Sequence, residues 1–318
     1  MNKKTIILRN SSTAIPTSDF WKARFEKYFN IEQIQSDKKY DPRHCIFWGS
    51  SPENVLEWIE PYLEQGFPVV LDYLWDHFGY SHKADNVLML KSNNFIFANE
   101  VLNYKFWNYH NKNFKRQADK FFLCLMNQQR DHRDQIFDSI QHYKDESYIS
   151  YLHKNIQIQG DVIQLTGNGS WTGSPSWQRY LNTDWYNNSN FSLVVETTVH
   201  DPRFYSEKIL KPFAFKHPLI VWGAVSILGR VKQLGFESFD HIVDESYDSE
   251  KNNDIRLKKI LDQVELLYKE FSKNKNLFND KLTLEKIEHN YNLFYDETLL
   301  DNIIEKEIMQ PLLAFAYE

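Results

Sequence analysis

Cysteine is scarce in this chain. Cys45 and Cys124 lie far apart in apolar settings, which excludes a disulfide framework or a zinc site built from cysteine alone. No apolar run approaches the ~18 residues that cross a membrane. The opening MNKKTIILRNSS has two lysines and then only three consecutive apolar residues, too short for the core of a signal peptide and better read as a first strand. Without an export signal, the glycosylation-type patterns at Asn10, Asn168, Asn187 and Asn190 read as chance, and the expectation is a soluble, cytoplasmic protein. A basic excess is also lacking. The net charge of −6 weighs against nucleic acid as a partner, because polyanion binders neutralise phosphates with surplus lysine and arginine. There is no internal repeat, no low-complexity tract and no strong metal cluster. Asp244, Glu245 and Asp248 read as a solvated acidic loop.

What is present fits a globular α/β protein. At 318 residues the chain can hold two domains, each with its own core. Aromatic residues make up 16% of the sequence, read here as large side chains filling those cores. Strands are expected at Thr5 to Leu8, Cys45 to Trp48, Pro68 to Leu71, Val87 to Leu90 and Phe95 to Phe97. Helices start at Ser18, read as an N-cap, and at Ser51. That alternation predicts a mostly parallel sheet. Around 111–120 the chain turns polar and basic, which sets a boundary between a first domain, residues 1–115, and a second, 116–295. The second half restarts with a strand, Phe121 to Met126, and a helix opened by Arg133. A short strand, Val162 to Leu165, and a polar loop precede the central stretch.

That stretch, Phe191 to Gly223, reads as strand, loop, helix, strand. An apolar run ends on Glu196, Ser206-Glu207-Lys208 leads into a helical segment, and Pro218 to Trp222 closes on Gly223. In open parallel sheets ligands bind at the carboxyl ends of the strands, so Glu196, Glu207 and Lys208 share one edge. A carboxylate there can accept both hydrogens of a ribose diol. A lysine, a helix N-terminus and Arg133 can offset a pyrophosphate. The chemistry best served is departure of a nucleoside diphosphate from a sugar. An exposed Glu-Lys pair in a first helical turn is the bland alternative.

The same residues resemble the donor-binding motif of the α-1,3-fucosyltransferase family and related two-domain glycosyltransferases. The matching positions are Phe191, Leu193, Glu196, Tyr205-Ser206-Glu207-Lys208-Ile209, Pro218 and Trp222-Gly223. Upstream, the strand Phe122 to Met126 with Asn127 and Arg133 resembles the family's strand, Asn loop and helix-starting Arg. The likeness spans residues 121–240 and departs from the pattern at Thr197 and Thr198, where the family usually has Asn first. It implies an α/β fold of two facing Rossmann-like domains (GT-B type) with parallel sheets, residues 1–115 as the acceptor-side domain and 116–295 as the nucleotide-sugar donor domain, with a C-terminal helix over 296–318 packing back on the first. It further implies inverting, metal-independent transfer without a cofactor, from a GDP-fucose-like nucleotide sugar to a carbohydrate or glycoconjugate acceptor. The donor-binding set is then Asn127, Arg133, Glu196, Tyr205, Ser206, Glu207 and Lys208.

The first half has no residue-by-residue match, so the general base that inversion requires is sought at the strand ends. Asp76, then Asp72, are the candidates just past Pro68 to Leu71, with Tyr73, Trp75 and His77 beside them and Glu53 and Glu100 as weaker rivals. Two alternatives remain. One is a non-catalytic nucleotide- or carbohydrate-binding module on the same scaffold. The other is a transferase modifying nucleic acid, with Lys112, Lys115, Arg116 and Lys120 as its basic patch.

Overall fold

A computed structural model describes residues 3–9, 15–33, 39–49, 60–72, 86–90, 92–106, 108–109, 112, 114–158, 182–201 and 205–317. The chain divides into two compact units, Met1–Phe106 with Glu297–Glu318, and Trp107–Asp296. Each contains one wholly parallel sheet with helices, which is the α/β class predicted by the alternation of elements.

The first unit carries β1 (Thr5–Arg9), α1 (Ile15–Tyr28), β2 (Asn30–Gln33), β3 (Cys45–Gly49), β4 (Val69–Asp72), β5 (Val87–Leu90) and α2 (Ser92–Phe106). Its strand order is β2-β1-β3-β4-β5. Ile6, Ile7, Ile46, Val69 and Val70 are fully buried, as expected of a parallel sheet covered on both faces. Three sequence expectations change here. Ser18 does not cap α1, which begins at Ile15 and has Pro16 in its first turn, where a missing N–H costs nothing. Phe95 to Phe97 is not a strand but part of the 15-residue α2. β2 is an additional strand. The expected helix from Ser51 lies largely outside the described residues.

The second unit carries β6 (Lys120–Met126), α3 (Asp131–Ile140), β7 (Tyr148–Tyr151), α4 (Thr183–Asn188), β8 (Ser189–Val195), α5 (Glu207–Ala214), β9 (Leu219–Trp222), α6 (Ile227–Gln233), α7 (Asn253–Lys273) and α8 (Lys281–Phe294). The order is β7-β6-β8-β9, with β8 and β9 buried along their whole length. β7 is absent from the sequence reading, and the strand expected at Val162 to Leu165 lies outside the described residues. The aromatic residues fill the core: Phe121 meets Phe191, Tyr268 and Phe271 at ring-centroid distances of 5.4, 5.2 and 5.1 Å. At the amino edge of this sheet Asn190, fully buried, ties several segments together. Its amide donates to the carbonyls of Ala118, Lys120 and Lys275 and accepts from Leu277 N. That placement is incompatible with glycosylation at Asn190.

The C-terminal segment, α9 (Glu297–Ile304), a π-helical turn (Glu305–Met309) and α10 (Gln310–Tyr317), belongs to the first unit. Glu305 accepts from Tyr28 Oη at 2.9 Å, and Lys105 pairs with Glu297 at 3.0 Å. Pro311 explains the wide turn: it has no N–H to continue the α-helical ladder, and its ring would clash with the carbonyl four residues back. Among the described residues, no helix is long and apolar enough to cross a membrane.

Candidate nucleotide-sugar site

In the second sheet, consecutive connections leave β6 in opposite directions: β7 pairs with it on one side and β8 on the other. Between β6 and β8 lies the topological switch point, where the loops diverge and open a crevice at the carboxyl edge. The loop after β6 leads into α3 and Arg133. The loop after β8 leads through Glu196 into α5 and Lys208. Residues separated by more than sixty positions are thus brought to the edge where the topology of this sheet favours a ligand.

Ser206 starts α5. Its backbone is extended (φ −112°) and its Oγ accepts from Lys208 N at 3.3 Å, the geometry of an N-cap. The following Glu207 and Lys208 occupy the first turn, with Nζ 3.1 Å from Glu207 Oε1 and side chains 20% (Lys208) and 22% (Glu207) exposed. Burial pushes the Glu207 carboxyl up, but the ammoniums of Lys208 and Lys211 outweigh it and hold the group at about 2. Glu207 is therefore an anion at any physiological pH. Nζ of Lys208 also donates to Thr197 Oγ1 at 2.9 Å and to Ser206 Oγ at 3.1 Å.

Glu196 is fully buried, and both its oxygens are taken. Oε1 accepts from Ser206 N at 3.2 Å and Ile209 N at 3.3 Å, and Oε2 from Thr197 N at 3.2 Å and from Ser206 Oγ. A diol-binding role requires an open carboxylate, whereas this one closes the first turn of α5. Gly223 permits the arrangement. A Cβ there would lie 3.2 Å from Glu196 Cγ and 2.7 Å from Ile227 Cδ1.

Arg133 is 3% exposed. One terminal nitrogen donates to Gln128 O at 2.8 Å, and its Nε has no hydrogen-bond partner among the described residues. Burial, with the charge of Arg130, lowers its pKa, while Glu196 and Glu207 act in the opposite sense. Asn127 is half-buried, and its carbonyl accepts from His153 N at 3.0 Å. Tyr205 is buried, and burial raises its phenol above the usual range.

Several neighbours escape the sequence reading. His132 bonds the Glu196 carbonyl through Nε2 at 2.9 Å and stands edge-on to Trp222. Burial drops its pKa to about 4, so the ring is neutral. Arg256, 2% exposed, holds the Val199 carbonyl at 2.9 Å and so anchors the loop between Glu196 and Ser206. The acidic loop is structural. Asp248 accepts from Leu228 N and Gly229 N at the start of α6, Glu245 from Ser238 Oγ and Phe239 N, and Asp244 from Ser246 N. Only Asp244, which is followed two residues on by Ser246, leaves a local signal of the kind seen in side-chain caps and turns.

The proposed bases are placed as follows. Asp72 is the last residue of β4, in register with Gly49 and Leu90, one strand removed from the β1/β3 switch point of its sheet. Asp76, Tyr73, Trp75, His77 and Glu53 lie outside the described residues. Glu100 is 3% exposed within α2. In the basic patch, Arg116 donates to the carbonyls of Phe278 and Asn190, and Lys120 donates to Asp145 O, so two of its four members serve internal contacts.

A scan of protein-family models and a search of curated proteins give no match. Among solved structures the chain is similar to an α1,3-fucosyltransferase at 12% identity, TM-score 0.45, over 94% of this chain and 92% of that one. The same enzyme class solved with GDP-fucose gives 11%, 0.41, 93% and 91%. Solved with GDP it gives 12%, 0.43, 94% and 92%. A likeness of this size carries no functional argument.

Proposed function

We propose that the chain is a glycosyltransferase that moves a sugar, fucose-like, from a GDP-type nucleotide donor to a carbohydrate acceptor, with inversion and without metal or cofactor. The observation that supports this most is the convergence of Arg133 and the Glu207–Lys208 pair across the β6/β8 switch point. Departure of a nucleoside diphosphate builds negative charge on the pyrophosphate. Two fixed cations in a half-buried crevice stabilise that charge without reorganising, the part a divalent ion plays elsewhere. Ionised Glu207 is suited to a ribose diol. The acceptor hydroxyl requires a carboxylate base, for which Asp76 and Asp72 are the candidates. The fucosyltransferase-like motif from Phe191 to Gly223 supports the same donor.

Thermal shift against GDP, UDP, CDP and their sugar conjugates tests the donor class, because a ligand bound only by the folded chain raises its apparent stability. Lys208→Ala and Glu207→Ala are each expected to weaken nucleotide affinity by roughly 10- to 100-fold, the scale of a charge-assisted hydrogen bond. Unchanged GDP and UDP affinity in both variants would sink the reading. Donor turnover in a hydrolysis assay separates a transferase from a binding module on the same scaffold.

A further inference from the structure

The buried carboxylate of Glu196 is surplus to a simple account of the donor site. It makes no contact that a ligand would replace, yet it touches nearly everything that fixes Lys208. Ser206 Oγ donates its one proton to Glu196 Oε2, which turns the hydroxyl's lone pairs towards Lys208. Nζ then donates to that oxygen at 3.1 Å and to Thr197 Oγ1 at 2.9 Å. Thr197 is itself held by its backbone N–H on Glu196 Oε2 at 3.2 Å. A hydroxyl has one donor and two acceptor sites, so the acceptor to which Ser206 gives its proton decides whether it can receive the ammonium.

We propose that Glu196 is a positioning residue: acting through Ser206 and Thr197, it holds the Lys208 ammonium in the pose that receives the diphosphate of the donor. The inference rests on the nucleotide-sugar reading above. It also accounts for the departure from the family pattern at Thr197, whose hydroxyl supplies one of the three seats of the ammonium, beside Ser206 Oγ and Glu207 Oε1. With the amides of Ser206 and Ile209 spent on Glu196, the diphosphate is met on this side of the crevice by the lysine and not by the start of α5.

The experiment measures the ratio of diphosphate to monophosphate affinity, using GDP against GMP, UDP against UMP and CDP against CMP, on the full chain. Glu196→Gln replaces an acceptor oxygen with a donor, and Ser206→Ala removes the relay. Both are expected to lower the ratio about tenfold, the worth of one well-placed hydrogen bond. Ser206→Thr, which keeps the hydroxyl, restores what Ser206→Ala loses. Asp248→Asn, which weakens the cap of α6 instead, lowers the melting temperature and leaves the ratio where it was. Equal loss of mono- and diphosphate affinity in Glu196→Gln and Ser206→Ala, or an unchanged ratio, overturns the positioning role while leaving the donor reading intact. Should Glu196→Gln fail to fold, Ser206→Ala decides alone. No binding of any of the six nucleotides to the unaltered chain overturns both.

Discussion

Helices α3 and α5 both begin at the carboxyl edge of the second sheet, one after β6 and one after β8, yet their first turns are finished differently. In α5 the open amides meet Ser206 and a remote buried carboxylate, Glu196. In α3 the N-cap residue is Arg130, whose side chain accepts nothing, and three positions further on stands the buried guanidinium of Arg133. The first helix end carries its own anion and offers a lysine above it. The second sets Arg133 between the acids Asp131 and Asp134 of its first turn and brings no side-chain acceptor at the cap. The difference teaches that two helix starts on one sheet edge can be finished by different means. Here the chain closes one start with a remote buried carboxylate and leaves the other without a side-chain cap.

The contrast can be broken most severely at Glu196. Glu196→Ala leaves two buried amides without acceptors, and urea denaturation is expected to report a loss of about 3 kcal/mol. Acid probes the other helix. Burial holds His132 at about 4, against an ordinary 6.5, so the unfolded chain binds its proton first. The contribution of His132 is complete above pH 6.5 and disappears as the pH falls towards 4, the loss reaching ~2 kcal/mol at pH 5. His132→Gln should flatten that part of the stability–pH curve; an unchanged curve would mean that the ring is charged in the folded state. His217, similarly buried beside Arg116 and held at about 3, adds a parallel loss.

The comparison is sharpened at α6, where Asp248 plays a similar part in a more open setting. Asp248→Ala is expected to cost about 1 kcal/mol, an ordinary cap; a cost equal to that of Glu196→Ala would show that burial of the carboxylate contributes nothing extra. The smallest effect is expected at Ser226, the N-cap of α6, whose backbone lies at φ 61°. Ser226→Gly removes left-handed strain and should stabilise the chain by about 0.5 kcal/mol, seen as a slight rise in melting temperature.

β6, β8 and β9 are legible in the sequence because strands buried on both faces are written as near-continuous apolar runs. β2 and β7 are not. Each is a four-residue strand at a sheet edge, interrupted by polar residues such as Glu32 and Ser150. Phe95 to Phe97 misleads for the opposite reason: three apolar residues in a row fit a buried helix as well as a strand, and α2 buries Ile96, Phe97, Val101 and Tyr104 together. In the site, Ser206-Glu207-Lys208 is readable because capping is local. The bond from His132 to the Glu196 carbonyl spans 64 positions and that from Leu228 to Asp248 spans 20, and no local pattern marks either. The state of Glu196 is likewise invisible, since a carboxylate at a strand end reads the same whether a ligand or a helix uses it.

Asn190 has a consequence for the order of folding. Its side chain closes on Ala118, Lys120, Lys275 and Leu277, partners 70 to 87 positions away. Such contacts bring no gain until long loops have closed. The knot should therefore form after the barrier, and Asn190→Ala is expected to steepen the loss of native protein by speeding unfolding while leaving the refolding rate nearly unchanged. The amino edge of the second sheet is then the latch that sets how long the crevice at its opposite edge survives.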